Sequence, residues 1–169
     1  MRVIKIVTVC CIISIISILI YKNINGKPFG GLRSTDLSEI KIDNISIDED
    51  ISNVDLSKYI TDEKLDASTY NYNFDTLRLN VDSNGKINKI FINHSKHNLL
   101  NINGNSEFNN IYDIRNALGR YYKNLVFNKK QGLSCYRYID KNSKIIARFV
   151  YDVNSNNLVY SIIEKMDSN

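Results

Sequence analysis

Few residues in this 169-residue chain have types and spacing that could do chemistry. His94-Ser95-Lys96-His97 places two imidazoles three residues apart. On a helix that spacing could grip a metal ion, but here it follows a predicted strand, a lysine stands between the rings, and no second pair of ligands accompanies it. A solvated loop is the expectation. Cys135 could pair with either histidine as a thiol dyad, yet it falls mid-strand without a nucleophile's surroundings, and a small buried hydrophobe is expected instead. Asp48-Glu49-Asp50, with Asp43 and Asp55, is dense in carboxylate. A calcium loop needs alternating ligands around a central glycine, and that glycine is missing, so a solvated acidic face is expected. No glycine-rich phosphate loop and no nucleophile elbow occurs. The expectation is therefore no catalytic residue, no metal ligand and no cofactor.

The basic tract is less empty. Arg115, Arg120, Lys123, Lys129, Lys130, Arg137, Lys141, Lys144 and Arg148 follow one another, with Tyr121, Tyr122, Tyr136 and Tyr138 interleaved. All of these bases but Lys141 form the candidate anion-binding set. Bases mixed with aromatics can hold nucleic acid, but an outward-facing domain seldom meets any. Anionic lipid headgroups or phosphate-rich wall polymer suit such a domain better. A plainer reading has this surface facing the acidic part of the same chain. Residues 34–75 hold eleven acids and three bases, whereas the chain as a whole is +4. Such asymmetry bears on partners and self-packing rather than on fold.

The elements that must position these groups begin with an apolar run. Ile6–Tyr21 carries no charge and, with Val3 and Ile4 and a snorkelling Lys5, approaches the roughly 20 residues a spanning helix needs. Its bulky end lacks a small-residue cleavage pattern. An uncleaved anchor over 1–22 is expected, with the N-terminus inside and the C-terminal part extracytoplasmic. The glycine- and proline-bearing stretch 23–33 reads as a linker. The remainder, 34–169, reads as one domain, divisible at about 100 into subdomains. Asn, Ile, Lys and Tyr are used heavily, a coding bias of low-GC bacteria.

Within that domain, Ile40 and Ile42, then Ile45 and Ile47, alternate as in strands. Leu77, Leu79 and Val81 alternate before Asn84-Gly85, and Ile87, Ile90 and Ile92 follow it; this predicts a hairpin with a type I′ turn. Ile111, Ile114, Ala117 and Leu118 recur at helical spacing, with Asn109 or Asn110 to cap the start and Gly119 to end the helix in the left-handed conformation. Leu133–Ile139, Ile145–Tyr151 and Leu158–Ile163 read as an antiparallel meander joined by polar turns. The fold class expected is α+β: an antiparallel sheet with one or two short helices on one face.

The order of that helix, Leu118-Gly119, Tyr122, a polar loop to Gly132, Tyr136-x-Tyr138 and two further strands resembles the small β-barrel-assembly lipoprotein (BamE-like) superfamily over roughly residues 104–164. The resemblance implies helices packed on a three-stranded antiparallel sheet, and a scaffold or interaction role without catalytic residues. It departs from the family where Tyr121-Tyr122 replaces the usual proline and where the lipidated cysteine is absent. Three function classes follow. A non-enzymatic, membrane-tethered module binding another envelope or secreted protein leads; an immunity-type protein against a secreted toxin is second; a hydrolase of envelope polymer is last, for want of an acid/base pair.

Overall fold

The computed structural model describes residues 31–61, 70–95 and 99–166. The chain divides after Leu32, and the fold below is that of the unit Arg33–Asn169.

Among the described residues there are nine strands: β1 (Ile40–Ile42), β2 (Tyr72–Asn73), β3 (Leu77–Val81), β4 (Ile87–Asn93), β5 (Leu100–Ile102), β6 (Lys123–Asn128), β7 (Leu133–Asp140), β8 (Ile145–Asp152) and β9 (Leu158–Lys165). Seven make one antiparallel sheet in the order β2-β3-β4-β9-β8-β7-β6, and β1 pairs with β5 in a second, two-stranded one. One α-helix, α1 (Ile111–Leu118), stands among the described residues. The α+β expectation is thereby corrected to a mostly β fold. The predicted hairpin and meander are joined edge to edge, β4 to β9, with Ile90 opposite Ile163. β1 falls where Ile40 and Ile42 alternate, and β2, β5 and β6, which the sequence did not mark as strands, complete the sheets.

The anchor expected over 1–22, and most of the linker, lie outside the described residues. Among the described residues no helix is long and apolar enough to cross a membrane. The eight residues of α1 rise only about 12 Å, against a hydrocarbon core of about 30 Å. That corrects the single-span, membrane-partner and extracytoplasmic placement drawn from the sequence.

The main core lies on one face of the large sheet. Leu77, Leu79, Ile90, Ile92, Tyr138, Ala147, Phe149 and Ile163 present one continuous apolar surface. Over it pack α1, through Ile111, Ile114 and Leu118, and the acidic segment, through Leu37, Ile40, Ile42 and Ile45. Among the described residues the acids of that segment are exposed or half-buried, while Leu37, Ile40, Ile42 and Ile45 are core. Asp43 pairs with Lys58, Asp50 with Lys86, and Asp48 with Lys165. Alternation sends Leu133, Cys135 and Val150 to the opposite face, where Val159 and Tyr160 join them in a smaller cluster.

Helix α1 starts where Asn110 accepts from the backbone N–H of Tyr112 and Asp113, while the Asp113 carboxylate accepts from Asn110 N–H. It ends at Gly119, whose φ of 80° and ψ of −164° are outside the left-handed helical well expected there. The β3–β4 hairpin forms in the expected place, with Leu79 opposite Ile90. Its turn is not type I′, since only Gly85 has positive φ, at 75°. Instead Asp82 accepts from Asn84 N–H and Lys86 N–H, and Gly85 follows as a bulge-type residue. A β-branched side chain at that φ is strained although its Cβ would meet only ordinary contacts, the nearest atom being Ile51 Cγ2 at 3.8 Å. Gly85→Val is expected to lower unfolding free energy by more than ~1 kcal/mol in a denaturant titration.

Candidate functional site

His94, Cys135, Asp50 and Asp55, singled out for metal or nucleophilic chemistry, each make local structural contacts. His94 follows β4, and its Nε2 lies 2.7 Å from Ser161 Oγ, a side chain with no exposure. His94 Nδ1 is buried without a hydrogen-bond partner, so no third group orients the ring as a catalytic base requires. His97 lies outside the described residues. Cys135 is buried on the smaller cluster, and burial pushes its thiol up to about 11, away from thiolate chemistry. The carboxylates of the acidic segment are turned to local uses: Asp50 and Asp55 cap single 3-10 turns through Ser52 and Ser57. Among the described residues no group of three or more His, Cys, Asp or Glu could hold a metal ion.

Burial alone depresses the His94 pKa to about 4. The unfolded chain takes up this proton near pH 6.5 and the folded chain only near 4. Stability is therefore full above about 6.5 and falls on acidification toward 4, by about 3 kcal/mol from this group. His94→Gln is expected to flatten that limb of a stability-against-pH profile; an unchanged limb would assign it elsewhere.

The basic tract is different, because folding gathers part of it. Between Asp113 and Asp140 the sequence holds six bases and no acid, and this stretch builds the β6 margin of the large sheet. Cross-strand register sets Lys123 opposite Arg137, and Arg137 opposite Arg148. Three cations thus stand in one row on one face of β6, β7 and β8, where like charges repel unless other groups engage them. Glu164 relieves one end, accepting from Arg148 at 2.6 Å and pairing with Lys89 at 3.6 Å. At the far end of β6, Lys129 and Lys130 sit exposed on a 3-10 turn capped by the Asn128 side chain. Arg120 is exposed just before β6.

The rest of the predicted set is not brought into this row. Arg115 lies on α1 with its guanidinium 5.5 Å from the Tyr112 ring centre. Lys144 occupies the β7–β8 turn at a φ of 56°. The interleaved tyrosines serve packing: Tyr122 stacks on Tyr136 with ring centres 3.8 Å apart, and Tyr138 donates to the Gly119 carbonyl. Exposed apolar groups were not anticipated beside these bases. Val126 is 73% exposed, Tyr121 49% and Phe127 44%. They belong to or adjoin β6, which the sequence reading passed over as a polar loop. The run Leu125-Val126-Phe127, rich in strand-forming residues, was the signal for it.

The unit from Arg33 onward is formally neutral, since four of the 22 bases (Arg2, Lys5, Lys22, Lys27) and none of the 18 acids precede it. The positive margin is therefore a separation of charge within a neutral domain. Compared with known proteins, the chain matches no family model, no curated protein and no solved structure.

Proposed function

We propose that this domain is a non-catalytic binding module for an anionic partner, with the β6 margin as its contact surface. The observation that carries the reading is the set of exposed bases along β6, Arg120 and Lys123 at one end and Lys129 and Lys130 at the other, on a domain without net charge. A partner that brings negative charge to these exposed bases gains affinity and meets them faster.

Heparin, a sulfated polyanion, serves as the probe. The full chain is expected to elute from it at a salt concentration that drops when Lys123, Lys129 and Lys130 are all changed to Glu. Reversing Lys41, Lys58 and Lys86, which lie away from the margin, controls for total charge. An equal drop in both variants would sink the reading, because charge alone and not this surface would then explain retention.

A further inference from the structure

We infer that β6 is a docking edge on which an extended acidic polypeptide segment adds to the large sheet as a further strand. The inference rests on the anionic-partner reading and names the class of partner. The sheet has two terminal strands. β2 is two residues long and offers almost no template, whereas β6 runs from Lys123 to Asn128 with every position exposed or half-buried. It pairs with β7 on one side, so its outer row of N–H and C=O groups faces outward as a template for another strand.

Charge selects the occupant. Arg120 and Lys123 stand at one end of β6, Lys129 and Lys130 at the other, with Val126 exposed between. A second copy of this chain pairing antiparallel would lay Arg120 and Lys123 against Lys129 and Lys130; pairing parallel would set like upon like. Both arrangements bring cation to cation. A strand with acids at its ends and β-branched residues between meets complementary groups throughout. The features that guard an edge fit this choice as well. An edge lysine repels basic strands while attracting acidic ones. The register shift falls between Val126 and Asn128, leaving Lys123–Val126 regular. Residues 37–45 of the chain's own acidic segment are committed to the core through Leu37, Ile40, Ile42 and Ile45.

The test uses the full chain and two fluorescent peptides of identical charge. One is acetyl-Glu-Val-Thr-Glu-Val-Thr-Glu-amide; the other carries N-methyl groups on its central amides, which block strand pairing and leave the acids in place. The first is expected to bind at least ~10-fold more tightly, with affinity falling as salt is raised. Amide hydrogen exchange at Lys123–Val126 should slow when it binds. Lys129→Glu with Lys130→Glu, both on an exposed turn, should weaken the first peptide by a similar factor. Equal affinity for the two peptides would overturn strand addition while leaving the heparin result, and the anionic-partner reading, intact. Failure of both peptides to bind would overturn it too, and so would a chain that dimerises until Val126→Lys breaks the dimer. Loss of heparin discrimination, by contrast, strikes the underlying reading first.

Discussion

Excising residues 34–61 is expected to abolish cooperative unfolding. Leu37, Ile40, Ile42 and Ile45 are buried against the sheet face that carries Leu79, Ile90, Tyr138 and Phe149. Burial of the first four alone contributes roughly 6–12 kcal/mol before conformational entropy is subtracted. A domain's whole stability is about 5–15 kcal/mol, so their loss consumes most or all of it. The excision also opens the sheet face to water, which a dye specific for exposed apolar surface should report. Thermal melting followed by circular dichroism decides the matter. A sharp transition at an unchanged midpoint would show the segment to be a solvated spacer.

Asp140→Ala should cost about 3 kcal/mol, the largest effect expected of a single polar substitution here. Asp140 ends β7, is 3% exposed, and accepts from Leu37 N–H at 3.1 Å, Asn142 N–H at 2.9 Å and Ser143 N–H at 3.2 Å. One carboxylate thus closes the β7–β8 turn and ties down the acidic segment. Thr35 N–H donating to the Ile139 carbonyl adds a second tie. Burial pushes the Asp140 pKa up, but the donated hydrogen bonds outweigh it and hold the group below the ordinary carboxylate value. Its contribution is therefore present above the unfolded pKa of about 3.9 and is lost as pH falls through the lower folded value. Asp140→Asn should fall between wild type and alanine in a denaturant titration, since its amide nitrogen cannot accept from Leu37. No loss with alanine would show the turn and the segment to be held by other contacts.

How far the fold was legible depended on the range of the interactions that make each element. The β3–β4 hairpin, α1 and the β7–β9 meander were readable because alternation, helical spacing, the Asn110 cap and polar turns are all local. β6 was not, because Lys123–Asn128 alternates poorly and becomes a strand by pairing with β7. The three-residue strands β1 and β5 come together from positions about sixty residues apart, Ile40 opposite Ile102. No local pattern announces such a pair.

The candidate site divides along the same line. The surplus of bases between Asp113 and Asp140, the lack of a catalytic motif and the apolar character of the acidic segment's spaced isoleucines are properties of sequence alone. Only the tertiary structure decides which bases stand together. Lys123, Arg137 and Arg148 are scattered in sequence and fall in one row because β6, β7 and β8 pair in a particular register, while Arg115 and Lys144 are carried elsewhere by a helix and a turn. A shift of one residue in that register would send alternate side chains to the opposite face and dissolve the row. Charge content is written residue by residue, but a charged surface exists only once strand pairing has chosen which residues are neighbours.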